Sequence, residues 1–187
     1  MNKMKLQNLL NCHTIGVHSF PISFEDGLYK RIFYADSNHL LWKPFEIAIH
    51  PHHVDIKITV FEGKLTNPIY EISEVGRVLN KYRWNSHLLN GNGGFEYLGK
   101  ETLNCLSKIV YSAGETVTMK SCELHTVEVD MGEKCVWLIE ESIPSCEYFP
   151  INYTRRDLSQ WTPEGLYIEV DNAVRDQYIS KYLPLPI

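Results

Sequence analysis

The chain has 187 residues, 44% of them apolar, and a formal net charge of −5. That length suits one domain, 1–187, and a second full core would be cramped. An acidic balance lacks the basic face that sequence-independent nucleic-acid binding needs, and no stretch approaches the roughly 20 apolar residues of a bilayer span.

The opening segment MNKMKLQNLLNCHTIGV carries two lysines and a few apolar residues. Gln7, Asn8, Asn11 and His13 interrupt it, so it makes a poor signal-peptide core. Then follow short runs of period two. Tyr29–Ala35, Leu40–Trp42, Phe45–Ile49 and Asp55–Phe61 are β-branched or aromatic with polar residues interleaved, and turn residues separate them. In 72–82 the residues Ile72, Val75, Leu79 and Tyr82 fall three or four apart, which predicts a helix interrupted by Gly76. Asn90–Gly94 (NGNGG) reads as a hairpin or loop tip. A phosphate-cradling loop would need Gly-Lys-Ser/Thr and a helix, whereas Phe95-Glu96-Tyr97 follows. Further strands are expected over Leu106–Tyr111, Thr116–Met119, Thr126–Val129 and Cys135–Ile139. The last element, 171–183, has Val174, Tyr178 and Tyr182 on one stripe and Asp171 or Asn172 as cap, with Pro184 and Pro186 as stop signals. Many short strands at close spacing predict an all-β sandwich or barrel with a few short helices.

Five cysteines, an odd number with no CxxC pair, indicate free thiols in a reducing cytoplasm. The eight histidines are more informative. In Phe45-Glu46-Ile47-Ala48-Ile49-His50-Pro51-His52-His53 the residues Phe45, Ile47 and Ile49 share one face of a strand. Glu46, Ala48, His50 and His52 share the other. His50 and His52 therefore point the same way, where their nitrogens can meet one ion, and Pro51 marks a strand end or edge. His53 has the opposite parity. A third imidazole is available at His125, whose parity is shared by Val127, Val129 and Glu123, whereas Glu128 lies on the other face. Glu46 and Glu123 are thus the candidate carboxylates for orienting a ligand or moving a proton, with a solvent-facing strand position as the alternative for Glu46. His87 sits in the long segment between the histidine motifs, and His13, His18 and His39 show no partner pattern. Tyr70 and Tyr111 are expected to pack. Cys122 is expected as a small buried residue rather than a thiolate ligand.

The segment from Pro44 to Val129 resembles the cupin superfamily. His50-x-His52 is followed by Gly63 at eleven residues, and Gly114 precedes His125 by eleven, as in the two motifs of that family. Pro44 stands where the first motif begins with glycine, and Ile56 occupies the motif glutamate. Lys120, Cys122 and Val129 replace the second motif's proline, glycine and asparagine. The resemblance implies a single cupin-type β-barrel (jelly roll). Its metal site would be held by His50, His52 and His125, loosely like that of the cysteine-dioxygenase-like cupins, with Asp55 as an outside fourth candidate. It also implies a homodimer.

Three neutral imidazoles leave the +2 charge of a divalent ion uncompensated, so such a centre favours a carboxylate, thiolate or enolate. The expected cofactor is a divalent metal, with iron(II) first and zinc, nickel or manganese as alternatives. The expected activity is a non-heme iron(II) dioxygenase acting on a small anionic organic molecule. The competing expectations are a non-redox metal-dependent isomerase or lyase, a non-catalytic small-molecule-binding cupin and a metal-free sugar epimerase.

Overall fold

The computed structural model describes residues 7–12, 14, 16–25, 27–36, 48–84, 95–130, 132–142, 151–158 and 167–183. Eleven strands dominate the described residues. They are β1 (Asn8–Leu10), β2 (Val17–Glu25), β3 (Leu28–Asp36), β4 (Ile56–Glu62), β5 (Lys64–Trp84), β6 (Phe95–Ser112), β7 (Thr116–Met119), β8 (Leu124–His125), β9 (Lys134–Ser142), β10 (Ile151–Thr154) and β11 (Ile168–Val170). Among the described residues, one helix, α1 (Asn172–Ile179), runs into a 3-10 turn at Ser180–Tyr182. Two antiparallel sheets result. One has the order β11-β1-β2-β3-β9-β4-β7; the other is β10-β5-β6, with β8 added to β5.

The all-β expectation holds, in the two-sheet jelly-roll form. Among the described residues the ladders do not close into one continuous barrel. The alternation in the sequence explains why the sheets face each other. Val17, Ala35, Ile56, Ile58, Val60, Cys135 and Trp137 from the larger sheet meet Leu65, Val127 and Val129 from the opposite side in one buried cluster. Trp137, stacked on Phe33 at 5.3 Å between ring centroids, is the largest side chain there. Arg31 of β3 ties β2 and the residue before β1 together from within, donating to the Gln7 carbonyl (2.7 Å), the Ser19 carbonyl (2.8 Å), the Ser19 hydroxyl and the Tyr29 hydroxyl.

The back of the larger sheet carries Phe20, Ile32, Tyr34 and Val136, covered by Ile179, Tyr178 and Tyr182. Tyr178 and Tyr182 of the expected stripe pack here, whereas Val174 is not in this cluster and the helix's buried anchor is Ile179, which the spacing does not place on the stripe. The Asp171 side chain accepts from the Val174 amide and caps the helix. Its far end is tied to β4 through Glu62, which accepts from Lys181 (2.6 Å) and from the Tyr182 hydroxyl.

The predicted helix over 72–82 is instead strand, the distal half of β5. Its apolar spacing arises from a bulge: Ile72 and Arg77 both pair with Leu103, which loops out the residues between them. Gly76 (φ +147°) permits this, because a Cβ there would lie 2.3 Å from the Leu103 carbonyl oxygen. Leu79 and Tyr82 are buried, whereas Ile72 and Val75 are exposed, so the four residues do not share one packing face. The strand expected at Thr126–Val129 is instead held to β5 by the bridge between Thr66 and Glu128 and by the Thr126 amide donating to the Pro68 carbonyl (3.2 Å). The runs Leu40–Trp42 and 45–47, the NGNGG segment, His13, His39, His87, Cys146 and the two terminal prolines lie outside the described residues. No helix among the described residues is long and apolar enough to cross a membrane.

Candidate metal centre

His50 and His125 exchange backbone hydrogen bonds, N to O at 2.9 Å one way and 3.2 Å the other. They form a directly opposed antiparallel pair whose side chains leave the same face. His125 belongs to β8, which lies on β5 with Ile69 opposite His125. Ile49 takes the other face and packs with Leu79, Leu103 and Tyr153. His52, two residues past His50, returns to the shared face. A turn over 120–123 holds the two segments together. The Cys122 amide donates to the His52 carbonyl (2.9 Å), and the Ser121 amide donates to Asp55 Oδ1 (2.8 Å). Lys120 Nζ pairs with Asp55 Oδ2 at 2.7 Å. These contacts hold the Asp55 carboxyl below its usual range, chiefly through Lys120.

The three imidazoles converge. Ring centroids are 5.0–5.1 Å apart in every pair, and one ligand atom from each ring lies within 4.8 Å of the others. His52 Nε2 and His125 Nε2 are 2.9 Å apart. Two nitrogens bound at about 2.05 Å to one ion at a right angle would be about 2.9 Å apart, so this pair fits a shared ion with little movement. The rings also face the right way. His50 Nδ1 lies 2.8 Å from the Ala48 carbonyl oxygen and His125 Nδ1 lies 2.9 Å from Asn67 Oδ1. Both neighbours are acceptors, so each Nδ1 carries the hydrogen and each Nε2 keeps its lone pair. Ligating histidines are held this way in metalloproteins.

His125 is buried, and its pKa lies well below the ordinary 6.5, first through loss of solvent and then through His50 and His52. The ring therefore stays neutral, the form a metal ion takes. The same shift sets a stability trend for the metal-free protein. Between the folded value and 6.5, the unfolded chain binds a proton at His125 that the folded chain refuses. Stability is full above about pH 6.5 and falls as pH drops through the window below it. Urea midpoints at pH 7.5 and 5.5 should therefore differ more for the native chain than for His125→Gln. Equal differences would remove His125 as the cause.

The structure brings together His50, His52 and His125; alternation predicts the first two on one face, and the third is the imidazole that the resemblance implies. Among the described residues, Glu123 and Asp55 are not part of that group. The exposed Glu123 turns its carboxylate onto the Lys120 amide (2.9 Å) in the turn that precedes His125. Glu46 lies outside the described residues. Glu128 pairs with Lys108 at 2.8 Å. Cys122 is exposed, not buried, and adopts φ +68°. It stands at the position where the motif it resembles has glycine, and the backbone keeps the left-handed conformation there. No motif in the sequence singles out Asn67. The only local signal was an asparagine inside a strand, where that residue is depleted.

No family model matches the chain, and no curated protein sequence matches it. Solved structures do. An RmlC-like cupin from Shewanella frigidimarina is 11% identical with a TM-score of 0.43, covering 75% of this chain and 87% of the other. A cupin superfamily protein from Desulfitobacterium hafniense is 8% identical with a TM-score of 0.39, covering 68% and 78%. KdgF from a Halomonas species is 11% identical with a TM-score of 0.39, covering 70% and 82%.

Proposed function

We propose that the chain is a metal-dependent cupin enzyme in which His50, His52 and His125 hold one divalent ion. In this reading the ion is iron(II), and the reaction is the dioxygenation of a small anionic organic molecule, a thiol, enol or carboxylate. One observation carries the proposal: three imidazoles converge, and the Nδ1 atoms of His50 and His125 face acceptors, which leaves the Nε2 atom of each for an ion. A ligand set without a carboxylate leaves the ion its full charge, which favours anionic substrates over neutral ones. When bound, the ion would supply a Lewis-acidic point at which substrate and a second reactant meet. Glu46 stands in the proposal as a group available for proton transfer, whereas Glu123, bonded to the Lys120 amide, holds the turn that precedes His125. A single domain, a cytoplasmic location and a homodimer complete it.

Elemental analysis of protein purified without chelator or histidine tag tests this reading. About one iron per chain, with oxygen uptake on a panel of thiols, enols and small carboxylates, is the expected result. Zinc, nickel or manganese without oxygen uptake would transfer the site to isomerase or lyase chemistry. Absence of metal after attempted reconstitution would defeat the metalloenzyme reading.

A further inference from the structure

Asn67 is 1% exposed, in the half of β5 that faces the core. A buried amide is tolerated when its donors and acceptor are all met, and here they are. Nδ2 lies 3.3 Å from Met119 Sδ, and the amide also forms a side-chain hydrogen bond with Tyr111. Oδ1 lies 2.9 Å from His125 Nδ1. A thioether sulfur accepts and does not donate. Met119 therefore decides which end of the amide is which: the NH2 end faces sulfur and the carbonyl end faces the histidine. The carbonyl in turn accepts only, so the hydrogen of His125 must sit on Nδ1.

We propose that Asn67, oriented by Met119, is a positioning residue that fixes His125 as its Nδ1–H tautomer and so presents the Nε2 lone pair to the metal. The metal half of this inference rests on the function proposed above; the tautomer half does not. Without Asn67, His125 would be free to carry its hydrogen on Nε2, the atom that faces His52 Nε2 at 2.9 Å. In that form the ring donates toward His52 and offers no lone pair to an ion. His50 is oriented by a backbone carbonyl, which substitution does not remove. Asn67 is thus the side chain through which tautomer control can be tested.

The test compares the native chain with Asn67→Leu, Asn67→Asp and Met119→Leu. Nitrogen-15 imidazole spectra of the metal-free proteins report the tautomer, chelator competition with zinc(II) reports affinity, and thermal melts confirm folding. Asn67→Leu is expected to lose the Nδ1–H form and to bind zinc about 10- to 100-fold more weakly, the usual effect of removing a ligand's outer hydrogen-bond partner. Asn67→Asp keeps an acceptor at the same atom and should restore both. Met119→Leu removes the sulfur at nearly constant volume and should shift both in the same direction by less. If Asn67→Leu keeps the Nδ1–H tautomer and native affinity, the inference is overturned. It is also overturned if Leu and Asp weaken binding equally with the tautomer unchanged, because that is the signature of packing alone. Should Asn67→Leu fail to fold, an unshifted tautomer in Met119→Leu would overturn the orienting role. If the native chain binds no zinc, the proposed function fails while the spectra still decide whether Asn67 sets the tautomer.

Discussion

Replacement of His50 by alanine is expected to reduce bound metal from about one ion per chain to a trace and to leave the fold intact. The half-buried His50 ring sits on a segment whose opposite face, at Ile49, does the packing. Losing one of three imidazoles removes a first-order share of the binding free energy, roughly 3 kcal/mol or on the order of 100-fold in affinity. His125→Ala should have the same effect on metal with a larger effect on stability, because that ring is 2% exposed and hydrogen-bonded to Asn67. His53→Ala is the control. It neighbours the pair but is not in the convergent group, so its affinity should stay within about 0.5 kcal/mol of native. Equilibrium dialysis followed by elemental analysis reads all three. Full stoichiometric metal in either His50→Ala or His125→Ala would show that the ligand set is wrong.

The histidine site was legible because its signal is local. Two residues apart on extended backbone fixes His50 and His52 to one face whatever the rest of the chain does. The parity of His125 with Val127 and Val129 likewise places it toward the core, where both valines are buried. Asn67 was not legible for the opposite reason. Its role exists only because β5 lies against β8 while β7 brings Met119 to the same point, and neither pairing leaves a mark within a short window. The segment 72–82 shows how a local signal misleads. Four apolar residues at helical spacing also occur when a bulge breaks the two-residue alternation, and pairing with β6 decides the outcome. Gly76 carried the information, as a residue needed for close backbone approach rather than as a weak point in a helix. Cys122 misled in the same way. Its type suggests burial, whereas its place in the turn that docks on His52 demands a left-handed, exposed residue.

The two glycines at motif spacing separate the roles of conformation and space, and their alanine variants should differ sharply. Gly63 makes the turn from β4 to β5 at φ +77°, and a Cβ there would lie 1.9 Å from the Lys134 carbonyl oxygen. That oxygen belongs to backbone at the start of β9, which pairs with both β3 and β4, so it has little freedom to retreat. Gly63→Ala therefore combines the left-handed cost of about 1–2 kcal/mol with displacement of a central strand, for a total of about 3 kcal/mol or more. Gly114 also has positive φ, at +91°, but a Cβ there meets nothing within 4 Å. Gly114→Ala should cost only the conformational part, about 1 kcal/mol. Urea denaturation of the three proteins measures the contrast. Equal losses would mean that β9 yields at Lys134, and the close approach at Gly63 would then not be what requires glycine there. The larger loss in Gly63→Ala, accompanied there alone by weaker metal binding, would trace a mechanical link. Gly63 seats β4 on β9, β4 carries β7 with Met119 on its other edge, and Met119 holds the amide that faces His125.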